Sequence, residues 1–465
     1  MPAFLTMTTF GTSWLAAHLA TVLGALLLLP FLAGILRERR PPASTIAWLL
    51  AVLAVPYVGV PLYLFLGSRK VRHPREKTRL FARTPSAPPP DLNPIARLLA
   101  AAGIPAPSAG NAVDLLPTGE AAFTRLVELI AAAQTSVDLA TFILADDATG
   151  RRVVEALVAR AAAGVRVRVL LDGLFLRRAG AGPEVLRRAG VHVAIFSPLL
   201  SLSLVRSENL RNHRKLTLVD GEHAWMGGMN IAEEYMGPQP LPGRWRDLAA
   251  HVRGPAVAHF AGVFAADFAH ALGEDLPAPR TPDPNAVRGD ALTQVVPSGP
   301  DAVDDSLYEA LLTACYGAQT RIWLATPYFV PDEALSRALM AAARRGVDVL
   351  VVVPRRSNHL LADLAGGSYL RPIAAAGARV ATYPRMLHAK AVLVDGSLAV
   401  IGSANFDIRS LFLNYEIALF AYSPAEVSAL ADWFRMVAAE CGGLAPAGRW
   451  RSVAEDLGRL FAPIS

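Results

Sequence analysis

The chain contains one segment twice, as NHRKLTLVDGEHAWMGGMN at Asn212–Asn230 and as LHAKAVLVDGSLAVIGSAN at Leu387–Asn405. Both copies follow one template: His, one residue, Lys, four residues, Asp, six residues, and then Gly, Gly or Ser, any residue and Asn. The matched residues are His213, Lys215, Asp220, Gly227, Gly228 and Asn230 in the first copy and His388, Lys390, Asp395, Gly402, Ser403 and Asn405 in the second. Two such motifs at the same place in a repeat predict a duplicated functional unit.

The sequence around these motifs repeats in the same order. AQTSVDLAT at Ala133–Thr141 matches AQTRIWLAT at Ala318–Thr326. Further strand patterns are GVRVRVLLD from Gly164, GVHVAIF from Gly190, GVDVLVVVP from Gly346 and GARVATY from Gly377. Helical patterns occur at Ala121–Ala133, Arg151–Ala163, Val303–Ala318 and Ala334–Arg345. This alternation predicts an α/β fold with a sheet in each of two repeated domains.

The N-terminal region has a different character. Trp14–Leu36 and Pro41–Ser68 contain no charged residue, and each is long enough to span a bilayer as a helix. A signal peptide is the alternative for the first run, but no basic segment precedes it and a second run follows directly. We therefore predict two transmembrane helices, at about 14–36 and 44–66.

Four regions follow from these patterns. The two transmembrane helices occupy residues 1–68, and a basic juxtamembrane segment with a Pro-rich linker occupies 69–112. Within that segment, residues 82–112 are rich in Pro, Ala and Ser and read as a tether. The two repeated domains are predicted at 113–285 and 286–465.

The net charge of +6 is distributed unevenly along the chain. Residues 1–80 hold nine basic and two acidic side chains (+7), whereas residues 81–465 hold 36 basic and 37 acidic side chains (−1). The positive-inside rule then favours a cytoplasmic repeat region, and the same basic cluster would attract anionic lipid headgroups. Because the repeat region is nearly neutral, it predicts no nucleic acid partner.

Lysine is rare in this chain. Among 45 basic residues only four are lysines, namely Lys70, Lys77, Lys215 and Lys390. The last two are the only lysines after residue 80, and they occupy equivalent motif positions. A compact ammonium on a flexible stem can follow a phosphate through a reaction, whereas a planar guanidinium is bulkier and fixed in geometry. The two motif lysines therefore predict a phosphate site.

The spacing within each motif separates two kinds of position. His and Lys lie two residues apart on an alternating strand pattern, so both project from one face. Asp220 and Asp395 lie seven residues from their histidines, and this odd spacing places them on the opposite face. We count both aspartates in the catalytic motifs but expect scaffold hydrogen bonds from them, not proton transfer. The glycine-rich positions either admit a phosphate close to the backbone or form tight turns.

The paired motifs resemble those of the phospholipase D superfamily. Three further phrases look like its bacterial cardiolipin synthase branch: WRDL at Trp245–Leu248, GPAV at Gly254–Val257 and NFDIRSLFLNYE at Asn405–Glu416. The resemblance covers nearly the whole chain. It implies two repeated phospholipase D-like α/β/α domains with one active site at their shared interface, preceded by two transmembrane helices.

The resemblance also implies roles for individual residues. His213 would attack phosphorus and His388 would act as acid and base, although the near symmetry of the motifs leaves the reverse order open. Histidine suits both tasks because its ordinary pKa lies near neutrality. The phosphate-binding residues would be Lys215, Lys390, Asn230 and Asn405. Two carboxylates would orient the imidazoles, Glu416 on His388 and Asp247 on His213, or crosswise. Either carboxylate could instead be a structural partner of Arg246 or Arg409.

The activity implied is a membrane-bound phosphatidyl transferase that condenses two phosphatidylglycerols into cardiolipin and glycerol through a phosphohistidine. The alternatives are a phospholipase D that uses water and, less favoured, a phosphodiesterase or nuclease of the same superfamily. The expected partners are phosphatidylglycerol and the membrane, with no metal, no other cofactor and no nucleic acid. The expected location is the bacterial inner membrane, as a multi-pass protein with a cytoplasmic catalytic domain.

Overall fold

The computed structural model describes residues 28, 29, 31–37, 42–66, 93–197, 210–273, 287–302 and 305–460. The chain divides into a small N-terminal unit and a large unit that carries both repeats. In the N-terminal unit, helical residues 31–37 precede helices α1 (Pro42–Ala54) and α2 (Pro56–Leu66). A small apolar core of this unit is centred on Ile35, Val52 and Tyr63.

The predicted second span is not one helix. The chain leaves helical geometry at Val55, between α1 and α2. Pro56 explains the interruption, because proline has no N–H to donate and its ring disfavours helical geometry at the preceding residue. Among the residues described, no helix is both long and apolar enough to cross a membrane. Most of the predicted first span, 14–36, lies outside the described residues.

The large unit is an α/β fold, as the sequence predicts. Its strands are β1 (Ser108–Leu116), β2 (Ser136–Thr141), β3 (Arg166–Asp172), β4 (His192–Phe196), β5 (Leu216–Val219), β6 (His223–Gly227), β7 (Ala249–Arg253), β8 (Ala291–Ser298), β9 (Arg321–Ala325), β10 (Phe329–Val330), β11 (Asp348–Pro354), β12 (Arg379–Tyr383), β13 (Ala391–Val394), β14 (Leu398–Gly402), β15 (Phe406–Asp407), β16 (Glu416–Ala421) and β17 (Gly442–Gly443). Its α-helices are α3 (Pro94–Ala101), α4 (Gly119–Ala132), α5 (Ala148–Ala162), α6 (Gly182–Arg188), α7 (Ala256–Leu272), α8 (Ser306–Gly317), α9 (Glu333–Arg344), α10 (Leu360–Ala375), α11 (Ile408–Phe412), α12 (Pro424–Ala439) and α13 (Arg449–Leu460). A 3₁₀ helix spans Gly173–Ala179.

The strand order shows the duplication directly. One fifteen-stranded sheet runs β17-β12-β11-β9-β13-β14-β16-β8-β1-β7-β6-β5-β2-β3-β4, and β10 pairs with β15 separately. Outward from the central β1–β8 pair, the two halves read β1-β7-β6-β5-β2-β3-β4 and β8-β16-β14-β13-β9-β11-β12. Each strand of one half therefore has a counterpart in the other, which confirms the repeated α/β architecture.

The helices cover the sheet on both faces. A core shared by the two repeats takes Phe260 and Phe264 from α7 and Trp433 and Phe434 from α12. Each repeat also has a core of its own on the opposite face, beneath α4 and α5 in the first and α8 and α9 in the second. Within each half β2–β3–β4 and β9–β11–β12 pair in parallel, so their carboxyl ends lie along one edge.

Part of the predicted tether is ordered structure. Helix α3 begins after Asn93, whose side chain accepts a hydrogen bond from the Ile95 N–H, with Pro94 at the first helical position. Ile95 and Leu99 are buried in the core of the second repeat. The composition is proline-rich, but the apolar spacing of this helix supplies a face that packs. The first strand, β1, also starts at Ser108, inside the segment predicted as linker.

Candidate active site

Each His-Lys pair lies at the edge where parallel strands end. Lys215 directly precedes β5, and Leu216 of β5 pairs with Ala140 near the carboxyl end of β2. Lys390 has the equivalent place before β13, beside the end of β9. This is the edge of an α/β sheet at which ligands bind.

The two repeats exchange backbone hydrogen bonds at the histidines. The N–H of His213 donates to the carbonyl of Tyr415 at 2.9 Å, and the N–H of His388 donates to the carbonyl of Arg246 at 2.7 Å. Each histidine is thus held by a segment of the opposite repeat. Neither half contains a complete site by itself.

The two carboxylates follow the same exchange. Glu416 Oε1 lies 3.2 Å from His213 Nδ1, and Asp247 Oδ2 lies 2.7 Å from His388 Nδ1. The direct pairing, Glu416 with His388 and Asp247 with His213, is therefore not the one present, and the crosswise alternative is. The reason is that each carboxylate immediately follows the residue whose carbonyl binds the opposite histidine.

The carboxylates determine which ring nitrogen carries the proton. An ionised carboxylate only accepts hydrogen bonds, so the proton of His388 is assigned to Nδ1 and its Nε2 keeps a lone pair. For His213, neither Nδ1 nor Glu416 Oε1 has another hydrogen-bond partner in the described part of the chain. The same tautomer follows, and both Nε2 atoms remain available for chemistry.

Burial keeps both imidazoles neutral at physiological pH. Desolvation and then Lys215 lower the pKa of His213 to about 4, although Glu416 opposes the shift. Desolvation and then Lys390 lower the pKa of His388 to about 3, against the opposing effect of Asp247. Lys390 also lowers the pKa of His213, and Lys215 that of His388, so the two motifs act on one site. A neutral imidazole is the form that can attack phosphorus.

The two motif lysines are almost completely buried. Lys215 Nζ donates to the carbonyl of His213 at 2.5 Å. Lys390 Nζ donates to the carbonyl of His388 and lies 2.7 Å from its Nδ1 and 3.0 Å from its Nε2. Desolvation lowers the pKa of Lys215 to about 8 and that of Lys390 to about 7, with carboxylates opposing both shifts. Two buried ammonium groups, one of them within 3.0 Å of an imidazole nitrogen, suit an anionic ligand.

The motif asparagines are buried as well. Asn230 Oδ1 accepts a 3.3 Å hydrogen bond from the Ile143 N–H, and its side chain also bonds the Tyr235 hydroxyl. Asn405 Oδ1 is buried without a hydrogen-bond partner among the described residues. Buried polar atoms are normally satisfied, and an unused amide oxygen is an acceptor that a hydroxyl group of a substrate could fill. The Asn405 side chain also forms a hydrogen bond with Asp407.

The glycine-rich positions differ in what they contact. A Cβ added to Gly228 would lie 2.4 Å from Asp247 Oδ1, so only glycine leaves room for this carboxylate. In the second motif, the Ser403 hydroxyl donates a 2.5 Å hydrogen bond to Glu416 Oε2. The near-symmetric motifs therefore support their carboxylates in different ways.

Asp220 and Asp395 do not join this cluster. Each has a left-handed backbone, with φ of 54° and 51°, in the turn that ends β5 or β13. Asp220 accepts hydrogen bonds from three successive N–H groups at the start of β2, and Asp395 does the same at the start of β9. Burial raises the pKa of each carboxyl group, but the hydrogen bonds together lower it by more than burial raises it. Both pKa values are therefore below the ordinary value. Their contacts are scaffold contacts.

The sequence patterns did not predict a buried network of ion pairs around one arginine. Arg214 is the unspecified residue between the first His and Lys, and its Nε donates to the Glu416 carbonyl at 3.0 Å. Its other nitrogens contact the carboxylates of Asp267 and, at 3.0 Å, Asp301. The second motif has Ala389 at this place. This difference between the two copies, arginine in one and alanine in the other, is the feature of the sequence that could have indicated a special role for Arg214.

Aromatic rings flank both histidines and were also not predicted. The Phe142 ring centroid lies 4.2 Å from that of His213. Tyr235 and Trp245 lie 4.9 and 5.5 Å from His388. Rings packed this closely restrict imidazole rotation and reduce the water in contact with it.

The geometry suits chemistry at a phosphodiester. Two neutral imidazoles offer a nucleophile and a proton carrier, and two ammonium groups can bind the oxygens on which negative charge grows. Because the two halves are related by the repeat, one imidazole can come from each side of a phosphorus atom placed between them. This arrangement permits displacement in two steps through a covalent intermediate.

Comparison with known proteins agrees with this fold. The crystal structure of phosphatidylserine synthase from Haemophilus influenzae matches with a TM-score of 0.62 at 15% identity, covering 80% of this chain and 98% of that chain. The family model described as "Cardiolipin synthase, PLD-like domain" matches residues 126–240 and 311–438, and "Phospholipase_D-nuclease N-terminal" matches 23–68. The fold and the paired site define an enzyme of the phospholipase D superfamily.

Curated relatives narrow the family. Cardiolipin synthase of Geobacillus thermodenitrificans (strain NG80-2) is 34% identical over 421 residues, covering 85% of this chain and 83% of the relative. Cardiolipin synthase 1 of Bacillus cereus is 32% identical over 418 residues, covering 84% of this chain and 82% of the relative. The chain belongs to the bacterial cardiolipin synthase family.

Proposed function

We propose that this chain condenses two phosphatidylglycerols into cardiolipin and glycerol. The observation that carries the proposal is the crossed site, in which each histidine contacts the carboxylate of the other repeat and has a buried lysine beside it. Family membership and the names of the curated relatives support the same reaction.

In the first step, Nε2 of His213 attacks phosphorus of one phosphatidylglycerol. The bond between phosphorus and the headgroup glycerol oxygen breaks, and His388 donates a proton to that oxygen, so glycerol leaves. Lys215, Lys390 and the amides of Asn230 and Asn405 bind the phosphoryl oxygens. The negative substrate offsets the lysine charges, which favours the protonated form of His388.

In the second step, His388 takes the proton from a headgroup hydroxyl of the second phosphatidylglycerol. The resulting oxygen attacks phosphorus, the bond to His213 breaks, and cardiolipin forms. Glu416 and Asp247 hold the two imidazoles throughout, because each keeps the proton of its histidine on Nδ1. Asp220 and Asp395 act only by fixing the turns that position the motif strands.

The proposal includes anchoring in the bacterial inner membrane. Two uncharged runs within residues 1–68 and the +7 charge of residues 1–80 support two transmembrane segments with the catalytic domain on the cytoplasmic side. The N-terminal family match over 23–68 supports the same reading. Both segments would bring the active site to its lipid substrate.

Product analysis tests the reaction. The full chain, reconstituted with phosphatidylglycerol vesicles, is expected to yield cardiolipin and free glycerol in equal amounts. If phosphatidic acid is the main product, the chain is a hydrolase and not a transferase. Turnover of nucleic acid without turnover of lipid would overturn the proposal. The variant His213→Ala removes the proposed nucleophile, and His192→Ala is the matched control because His192 is exposed on β4.

Trapping tests the intermediate. After rapid acid-free denaturation with radiolabelled phosphatidylglycerol, the wild-type chain is expected to retain an acid-labile phosphatidyl group. The group should persist in His192→Ala and be absent from His213→Ala. A label that persists in His213→Ala and disappears in His388→Ala would reverse the order of the two histidines.

A further inference from the structure

Two loops at the site edge share an unusual composition. One is the 3₁₀ helix Gly173–Ala179 (GLFLRRA), which follows β3; the other is residues 355–361 (RRSNHLL), which follow β11 and include the first two residues of α10. Since β3 and β11 hold equivalent places in the two halves of the sheet, the loops are equivalent as well. Each carries leucine together with an Arg-Arg pair. We call the two loops together the docking rim.

The docking rim exposes apolar side chains. Leu360 is 73% exposed, Leu361 51% and Leu174 42%. Single exposed leucines are ordinary on protein surfaces. In this chain, exposed leucines occur in both copies of the loop, at the edge of the sheet that carries the active site. Such a repeated pattern is typical of an interaction surface.

The docking rim also carries positive charge that no acidic side chain among the described residues pairs with. Arg177, Arg355 and Arg356 are exposed, and within the described parts of the chain none of them forms an ion pair. Arg178 differs, because it contacts Glu234 at 2.8 Å. Three exposed guanidinium groups that have no ion-pair partner in the described ranges, beside exposed leucines, match a surface that is both anionic and apolar.

Aromatic side chains contact both loops, and in the first repeat they connect the docking rim to the active site. In the first repeat, Phe175 of the docking rim lies 5.0 Å from Phe142, which packs on His213. In the second, Tyr328 lies 5.3 Å from the ring of His359 and donates a 2.6 Å hydrogen bond to Asn358. In the first repeat, a single aromatic residue, Phe142, therefore lies between the docking rim and His213.

We propose that the docking rim seats the catalytic unit on an anionic phospholipid bilayer, with leucines among the headgroups and acyl chains and arginines on the phosphates. Apolar burial and attraction to anionic lipid are the two forces that hold a protein at such a surface. This inference rests on the proposed function only in that the substrate is then a bilayer lipid. The proposed occupant is the bilayer, because exposed positive charge on both loops matches an anionic surface.

Depth-dependent quenching tests the docking directly and needs no turnover. The full chain carries a fluorophore at Leu360→Cys in a Cys441→Ser background, since Cys315 is buried. It is reconstituted in vesicles of phosphatidylcholine and phosphatidylglycerol with brominated acyl chains, and strong quenching is expected. Tyr316→Cys is the matched control: Tyr316 is 52% exposed, but it lies before β9, at the opposite edge of the sheet, and should not be quenched.

Removing the charge refines this test. Arg355→Gln with Arg356→Gln, and separately pure phosphatidylcholine vesicles, should each reduce quenching at position 360. No quenching in anionic vesicles would overturn the inference. Quenching that requires a second labelled copy of the chain or an added protein would assign the docking rim to a protein partner and would overturn it too.

A kinetic comparison separates this inference from the proposed function. The double variant Leu360→Asp and Leu361→Asp should lose about tenfold or more in turnover of vesicle phosphatidylglycerol, since it removes two apolar side chains from the interface. Its turnover of monomeric short-chain phosphatidylglycerol should stay at the wild-type level, as should both activities of Tyr316→Asp. Equal losses on both substrates would contradict docking. Absence of any transferase activity in the wild type would instead contradict the proposed function, and the quenching result would still stand.

Discussion

Ser403 donates a 2.5 Å hydrogen bond to Glu416, and the first repeat has glycine at the equivalent position. Glu416 in turn lies 3.2 Å from His213, so the hydroxyl of the second motif supports the histidine of the first. On the other side, Gly228 leaves space for Asp247, which bonds His388 directly. The two histidines are thus oriented by unlike sets of contacts within a near-symmetric site.

Ser403→Ala should reduce turnover without changing the fold. The variant leaves Glu416 Oε2 without its hydroxyl partner, and loss of one hydrogen bond to a charged group costs about 1.5–3 kcal/mol, equivalent to roughly 10–100-fold in rate if it is felt in the transition state. The measurement is kcat for cardiolipin formation together with the melting temperature. Ser403→Thr keeps a hydroxyl and should retain more activity than Ser403→Ala. Equal activity of Ser403→Ala and wild type would show that Glu416 needs no such support.

Gly228→Ala should damage the other half of the site. The added methyl would meet Asp247 Oδ1 at 2.4 Å, so the carboxylate must move away from His388. We expect loss of cardiolipin formation, with the acid-labile phosphatidyl group on the chain altered in lifetime. Gly443→Ala is the control, because a Cβ there meets nothing within 4 Å. An active Gly228→Ala chain would mean that Asp247 can orient His388 from a displaced position.

The value of kcat/KM should fall as the pH rises above neutrality. Buried lysines have lowered pKa values, about 7 for Lys390 and about 8 for Lys215, so rising pH removes the ammonium charges that would bind phosphate. His213, with a pKa of about 4, is already neutral and contributes no change in this range. The protonated form of His388 that the first step uses becomes scarcer as the pH rises, so it acts in the same direction as the lysines. The profile of the free enzyme should therefore decline above pH 7 and more steeply above pH 8. Monomeric short-chain substrate is the appropriate probe.

Lys390→Arg is the control for this profile. A guanidinium stays charged throughout the range, so the decline should begin only near the pKa of Lys215, at about 8. The absolute rate should fall because a planar group fits the lysine site less well. A wild-type profile that is flat from neutral to strongly alkaline pH would show that neither lysine titrates in the functioning site.

Asp395→Asn should lower stability and leave the chemistry nearly intact. The carboxylate accepts hydrogen bonds from three N–H groups in succession, and asparagine tolerates its left-handed backbone but cannot accept all three as an anion. Loss of such a capping carboxylate costs about 0.5–2 kcal/mol. We expect a lower melting temperature and an unchanged kcat; a large fall in kcat at full stability would place Asp395 in the chemistry.

The same residue sets the sign of a pH effect on stability. Its pKa is lowered in the folded chain from the ordinary value of 3.8, so its contribution is present above that pH and disappears as the pH falls through the lower folded value. The melting temperatures of wild type and Asp395→Asn should therefore differ at neutral pH and approach each other in acid. A constant difference would indicate that the charge of Asp395 is not what stabilises the turn.

The sequence predicted the repeat well because local periodicity and spacing determine it. For example, the helix predicted at Ala334–Arg345 is Glu333–Arg344, and the strand pattern from Gly346 forms Asp348–Pro354. The crossed pairing of Glu416 with His213 was one of two alternatives, since residues about two hundred positions apart meet only through the packing of the halves. The break at Pro56 divides a run whose hydropathy alone indicates one helix.

Arg214 illustrates most clearly what spacing cannot supply. The motif template specifies no residue type at this position. The guanidinium of Arg214 is nevertheless buried, and it contacts Asp267, Asp301 and the Glu416 carbonyl. Arg214→Met should cost about 3–5 kcal/mol, because two carboxylates lose their cation in a buried setting. The melting temperature should fall by several degrees.

The double variant Arg214→Met with Asp267→Asn distinguishes this electrostatic cause from simple loss of packing. Asp267 is buried and otherwise bonds Asn212 at 2.8 Å, so neutralising it removes the uncompensated charge. We expect the double variant to melt above Arg214→Met and to remain slow in cardiolipin formation, because the Glu416 carbonyl still lacks its donor. A double variant that regains wild-type turnover would show that Arg214 holds the fold together and does not position Glu416 against His213.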